Sequence, residues 1–417
     1  MSLIQQSLFE EKSYYGTSAT HTGGKGEVFH DWYPYLEGFS SSFVSSVFEK
    51  YLSNAKKILD PFSGIGTTPI YLTINGIKSF YCEVNPVLQH LVLTKSQVLH
   101  LDRIEKIKLV KKINKMKLSL KNINLENKDL NLDKNYMFLF KKSVFFESSN
   151  YFQILRLKSF SQKLNDKLVK SLFDIAVYSS LLNASLLKRA GDVRYKTKKD
   201  LKNKKIPNIL NLVTKKLDLI QRDLERIDKP KVTPKLICKN SKDLVNIKSE
   251  KLDGVITSPP YLNGTNYFRN SKLELWYMEK INQKISLRDF RNETITAGIN
   301  DVSSKTNKEV ISEVKNLYEK LKKNAYDKRI PQMVSDYFFD MKKVAQGLKK
   351  QVKKNGIICI DIGDSIYNKI HVQTDEILIK IFSNLNLKLL DNIILRDRLS
   401  HSKVKLTQRL LVFKNHG

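Results

Sequence analysis

The chain has 417 residues, 41% of them hydrophobic, and carries 73 Lys+Arg against 42 Asp+Glu, a formal net charge of +31. A charge that large goes beyond what solubility requires and favours a polyanion, nucleic acid being the economical partner. No run of 18 apolar residues occurs, which argues against a helical membrane span, and Met1-Ser2-Leu3-Ile4-Gln5-Gln6 lacks the charged-then-apolar layout of a signal peptide. A cytoplasmic, nucleoid-associated protein of two or three domains is therefore expected.

Taken in chain order, the first strong pattern is Lys57-Ile58-Leu59-Asp60-Pro61-Phe62-Ser63-Gly64-Ile65-Gly66-Thr67-Thr68, a short buried strand running into a glycine-rich turn. A helix is predicted to begin near Pro69. Glycines at 64 and 66 would let backbone approach a ligand without a β-carbon in the way. A second strand-like run, Ser79-Phe80-Tyr81-Cys82, ends in Glu83. Strand, Gly-rich turn, helix and an acid at the next strand tip form the nucleoside-binding half of a doubly wound sheet, the acid accepting ribose hydroxyls. No Gly-Lys-Ser/Thr is present and Asp60 lies close by, so a nucleoside with a positively charged group, such as S-adenosylmethionine, fits better than a pyrophosphate.

Residues 101–235 show helical apolar spacing and hold 33 Lys+Arg against 14 Asp+Glu, an excess of 19 within about a third of the chain. An AT-rich coding sequence would explain the lysines but not the shortage of acids. Within this stretch Arg189-Ala190-Gly191-Asp192-Val193-Arg194-Tyr195-Lys196 has two readings. Arg189, Arg194 and Lys196 could grip phosphates with Tyr195 stacking on a base, or the segment is a solvated helix exit capped by Gly191.

The apolar run Leu252-Asp253-Gly254-Val255-Ile256 ends in Thr257-Ser258-Pro259-Pro260-Tyr261. Two prolines lack N–H groups and fix φ, so the chain must leave the strand stiff and extended. The turn offers a hydroxyl, carbonyl oxygens and an aromatic face, a set suited to a planar heterocycle carrying an amino group. Phe268 to Met278 is predicted as the following helix, with its aromatics in the core. Residues 279–330 read as a second, smaller interruption, and from Ser335 a helix leads into a central strand at Gly356–Ser365. The runs Asn392–Arg396 and Arg409–Phe413 read as a terminal hairpin. Cys82, Cys238 and Cys359 all fall in predicted strands and read as buried thiols, with neither metal-ligand spacing nor a disulfide framework.

These stretches resemble the amino-methylating, S-adenosylmethionine-dependent DNA methyltransferases of restriction–modification systems, most closely the cytosine-N4 branch. Asp60 to Thr68 is similar to the cofactor loop, Glu83-Val84-Asn85-Pro86 to the ribose-binding acid and its turn, and Thr257 to Tyr261 to the catalytic motif. Phe29-His30-Asp31-Trp32-Tyr33-Pro34-Tyr35-Leu36-Glu37-Gly38-Phe39 is similar to the segment that closes over the methionine end. Leu236 to Leu244 occupies the place of a strand ending in an acid that contacts adenine, with Asn240 in the acid's position; a plain Asx turn is the other reading there.

The resemblance implies an α/β, Rossmann-like doubly wound methyltransferase sheet with a mainly helical basic insertion and a smaller second one. The expected division is a cofactor half over 1–100, the insertion over 101–235, a catalytic half over 236–278, a second insertion over 279–334 and terminal strands over 335–417. It implies Ser258, Pro259, Pro260 and Tyr261 as catalytic residues. His30, Asp60, Phe62, Ser63, Gly64, Gly66, Thr67, Glu83 and Asn240 would bind S-adenosylmethionine, with no metal. Transfer to the exocyclic N4 of a flipped cytosine in double-stranded DNA is expected, with a cognate restriction endonuclease encoded alongside as a further expected partner. Adenine N6, an RNA base and a non-catalytic DNA-binding role are the alternatives. A cytosine-C5 mechanism is disfavoured because no cysteine follows Pro259-Pro260. The chain departs from the family in placing the long insertion before both the third motif and the catalytic motif, which leaves open which interruption reads DNA sequence.

Overall fold

The computed structural model describes residues 17–202, 204–227, 230, 232–262, 265–302, 309–399 and 404–417. Its centre is a seven-stranded sheet built from β1 (Lys57–Asp60), β2 (Lys78–Cys82), β5 (Lys235–Cys238), β6 (Leu252–Thr257), β7 (Val352–Gly363), β10 (Leu387–Leu399) and β11 (Lys405–Asn415). The spatial order is β10-β11-β7-β6-β1-β2-β5. Neighbours are parallel from β5 to β7, and β11 runs antiparallel to both β7 and β10. This is the doubly wound, Rossmann-like sheet expected from the sequence, closed at one edge by the expected hairpin.

Alternation along the strands explains the two-sided burial. Ile58, Ile256, Cys359 and Val412 pack on one face with the helix Ser41–Tyr51, while Leu59, Val255, Ile358, Ile360 and Leu411 pack on the other with the helices Ile330–Gln351 and Thr374–Ser383. A parallel sheet needs this cover on both faces. The three cysteines sit on β2, β5 and β7 as free thiols, with Cys82 and Cys238 Sγ atoms 3.0 Å apart across adjacent strands.

Chain order reverses between β1 and β6. From β1 the chain crosses to β2 on one side, whereas β6 lies on the other, and in such sheets ligands bind outside the carboxyl ends of the strands at this point. Residues 101–235 supply the helices Arg103–Ser119, Leu130–Phe140, Ser148–Gln162, Lys167–Tyr178 and Ile209–Glu225. Their apolar faces share one core with Phe29, Trp32, Trp276 and Tyr277, so they are packed onto the segments flanking the strand ends. The predicted helix over Phe268 to Met278 is in fact two short helices, Tyr267–Asn270 and Lys272–Tyr277, broken at Ser271, and its Phe268, Trp276 and Tyr277 are buried as expected. No helix among the described residues is long and apolar enough to cross a membrane.

The cluster around Gly191 is neither a helix exit nor an open loop. It is a hairpin of β3 (Leu187–Ala190) and β4 (Asp192–Tyr195) turning at Gly191, whose φ of +76° favours glycine. Leu187 and Val193 alternate with charged residues, and this period of two selects strand over helix. The hairpin is pinned to the segment after the proline turn. Val193 N donates to Asn270 Oδ1 (2.9 Å), Asn270 Nδ2 to Gly191 O (3.2 Å) and Asn266 N to Asp192 Oδ1 (2.9 Å).

Candidate active site

The carboxyl ends of β1, β2 and β6 open into one cavity of about 270 Å³. After β1, the turn Pro61–Gly66 doubles back into the helix Thr67–Ile74. Ser63 N donates to Cys82 O (3.1 Å) and Gly66 N to Ser63 O (2.8 Å), which ties the turn to the neighbouring strand. At the tip of β2 the Glu83 carboxylate reaches back, Oε2 accepting from Gly64 N and Oε1 from Asn85 N, both at 2.8 Å. Burial pushes the Glu83 carboxyl up to about 8 despite those two donors.

Phe62, Ser63, Gly64, Thr67 and Glu83 line the cavity, as does Asn240. The Asn240 side-chain oxygen accepts from Lys242 N at 3.0 Å, so the Asx turn is present and that oxygen is already engaged. Ser63 Oγ is buried and has no hydrogen-bond partner among the described residues.

Across the cavity, Ser258, Pro259, Pro260 and Tyr261 follow β6. The Ser258 and Tyr261 hydroxyls are 3.4 Å apart, and Tyr261 N donates to Tyr267 OH (3.3 Å). Beyond Tyr261, Leu262 O accepts hydrogen bonds from Ser365 Oγ and from Tyr367 OH, which anchors the exit of the turn to the short strand β8 (Ser365–Tyr367), itself paired with β9 (Ile370–Val372).

Three residues expected to touch a cofactor lie elsewhere. Asp60 is buried behind the turn, where its Oδ1 accepts from Thr257 Oγ1 (2.6 Å) and Phe62 N (3.0 Å). Burial raises its carboxyl to about 6. It joins the ends of the two strands that flank the switch point. Gly66 has φ +85°, and a β-carbon there would lie 2.7 Å from Val92 Cγ2, so packing against that helix is enough to require glycine. His30 is buried, stacked on His21 at 4.2 Å and donating from Nε2 to His21 O (2.7 Å). Burial lowers both imidazoles, His21 to about 4.

The three cations of the hairpin also separate. Arg189 is turned into the cavity, 2.6 Å from Glu37 Oε1, with side chains 10% and 20% exposed. Arg194 is half-exposed and bound to Asp200 (2.7 Å), and Lys196 Nζ donates to Ser185 O (2.6 Å).

Three residues that support the cavity or line it have no individual role in the sequence reading. Lys95 is fully buried under the glycine turn and donates to Ile65 O (2.8 Å); desolvation lowers its ammonium to about 7. Its signal was a lysine on the apolar face of Leu88, Leu91, Val92 and Leu99. Buried Glu274 accepts from Tyr33 OH (3.1 Å), and burial raises it to about 7. Tyr35 stands over the glycine turn, its Cε1 3.0 Å from where a Gly64 β-carbon would be.

No family model matches the chain. It is similar to the Type II methyltransferase M.BsoBI of Geobacillus stearothermophilus, 24% identical over 339 residues, spanning 75% of this chain and 63% of that protein. The chain therefore spans less than two thirds of the length of this curated relative. Two solved structures of the rRNA methyltransferase aviRa from Streptomyces viridochromogenes overlay with 8% identity and TM-scores of 0.33 and 0.32. They span 94% and 92% of this chain and 90% and 87% of their own, a likeness too slight to bear on the chemistry.

Proposed function

We propose that this protein is an S-adenosylmethionine-dependent DNA methyltransferase that modifies an exocyclic amine, cytosine N4 in the first place, within a restriction–modification system. The observation that carries the reading is that the glycine turn, Glu83 and Ser258 to Tyr261 line a single cavity at the switch point of a doubly wound sheet. The similarity to a Type II methyltransferase supports it.

The residues present fit the cofactor. Each Glu83 oxygen takes one backbone N–H and keeps a lone pair for a ribose hydroxyl, and Ser63 Oγ is a buried polar atom in want of a partner. When bound, S-adenosylmethionine supplies an electrophilic methyl on a sulfonium.

The chain's own contribution is positioning. An exocyclic amine is a poor nucleophile because its lone pair is delocalised into the ring, so the site must hold it where that pair can rehybridise. Ser258 Oγ and the carbonyl of Pro259 accept the two amine N–H bonds, Pro260 stiffens the turn, and Tyr261 stacks on the base. A duplex must extrude the nucleotide first, at a cost of a few kcal/mol that stacking partly returns. Residues 101–235 hold the duplex by charge, with 279–334 as the other region for sequence reading.

Serine as the first residue of the four-residue turn favours cytosine, as the neutral acceptor leaves room beside ring N3. Long-read sequencing of DNA from a host expressing the chain tests the reading, since base, position and context are reported together. Modification at one sequence context is the expected result, and unmodified DNA would count against it.

A further inference from the structure

Glu37 and Arg189 form a part-buried ion pair in the wall of the cavity. Arg189 comes from the basic insertion and Glu37 from the segment that closes over the glycine turn, and the two meet at 2.6 Å. The contact uses Arg189 Nη2 and Glu37 Oε1; Arg189 Nε and Glu37 Oε2 are both buried without a hydrogen-bond partner among the described residues. Leaving a buried donor and a buried acceptor unsatisfied is costly, and both belong to side chains that line the cavity. The hairpin holding Arg189 is preset, because its paired residue Val193 is bonded to Asn270.

The chemistry of the occupant follows from charge and position. The pair is neutral as a unit. A phosphate drawn to the guanidinium would meet the Glu37 carboxylate at the same spot, which excludes the duplex grip first expected of Arg189. A zwitterion satisfies both: its carboxylate takes the guanidinium and its ammonium takes the free carboxylate oxygen. The position is adjacent to the glycine turn. Tyr35, which crowds Gly64, has its hydroxyl raised well above the ordinary range first by burial and then by Glu37 and Glu83, so one ring is within electrostatic reach of both acids.

We propose that Glu37 and Arg189 together recognise the α-amino-acid arm of the cofactor, so that the basic insertion contributes a cofactor-binding residue. The proposal rests on the methyltransferase reading above. It makes cofactor affinity depend on the insertion's hairpin, which Asn270 and Asn266 also lock to the proline turn.

Calorimetry with two thioethers separates the arm from the nucleoside: S-adenosylhomocysteine carries the amino acid and 5′-methylthioadenosine does not. The wild-type protein should prefer the former by about 100-fold, since two charged hydrogen-bonding groups are at stake. R189Q and the near-isosteric E37Q should each narrow that ratio by about tenfold while leaving methylthioadenosine affinity as it was, which also certifies that each variant is folded. A wild-type ratio near one would overturn the proposal. So would variants that lose both ligands in parallel, or an R189Q that loses only DNA affinity. If the wild-type protein bound neither thioether, the methyltransferase reading itself would fall.

Discussion

The turn after β1 is held from behind by hydrogen bonds, whereas the turn after β6 is held by its own pyrrolidine rings. In the first, Glu83 secures Gly64 N, Lys95 secures Ile65 O, and Val92 leaves Gly66 no room for a side chain. In the second, Pro259 and Pro260 fix φ without any partner, and outside support comes from Tyr267 and from the bonds on Leu262 O. The contrast has a consequence for mutation. Damage to the glycine turn should spread into the fold, and damage to the proline turn should stay in the chemistry.

Gly66→Val is expected to show the largest effect. It forces a branched side chain into a left-handed backbone and onto Val92, together roughly 3 kcal/mol or more. Thermal unfolding should report the loss. An unshifted melting temperature would mean that neither Val92 nor the backbone at this position requires glycine. Tyr261→Ala should instead leave stability nearly intact and lower the methylated product by about 100-fold, read as label incorporated into DNA. Equal loss of stability and product would erase the contrast between the turns.

Smaller still are the pH effects, which the two buried charges around the glycine turn give opposite signs. Glu83 is raised to about 8, so its stabilising contribution is full below the ordinary carboxyl range and declines as pH rises through 8. Lys95 is lowered to about 7, so the folded protein sheds that proton first and stability gains as pH rises from 7 toward the ordinary lysine value. Glu83→Gln should flatten the decline and Lys95→Met the gain, in denaturant titrations run from pH 5 to 10. Ribose binding prefers the ionised acid, so nucleoside affinity should climb toward pH 8 in the wild type and not in Glu83→Gln.

The smallest effect belongs to the outer face of the hairpin. Arg194→Ala and Lys196→Ala should each reduce the salt dependence of DNA binding by at most about one unit of log–log slope, because Arg194 is already paired with Asp200 and Lys196 with backbone oxygens. A larger change would mark the hairpin as a principal phosphate contact.

The sheet was legible because its strands alternate or run apolar and end in turn residues: β1 before Gly64, β2 before Glu83 and β6 before Pro259 each announce themselves within a dozen positions. What could not be read depends on contacts distant in sequence. Asp60 looks like a ligand residue until Thr257, 197 positions away, is seen to occupy it. Gly66 shows the same flexibility signal as Gly64, and only the helix carrying Val92 distinguishes packing from ligand approach. Arg189, Arg194 and Lys196 form one basic cluster in sequence, but strand alternation turns the first inward to Glu37 and leaves Arg194 at the surface. His30 stands in a stretch whose resemblance implies cofactor binding, whereas its stacking on His21 makes it part of that stretch's own support.

If the glycine turn holds the methyl donor and the proline turn holds the amine, mass spectrometry of nucleosides from DNA incubated with the protein and methyl-labelled S-adenosylmethionine should find labelled N4-methylcytosine, lost in Tyr261→Ala. Labelled N6-methyladenine would change the base and leave the chemistry standing, but DNA with no labelled nucleoside would show that the two turns do not bring donor and amine together.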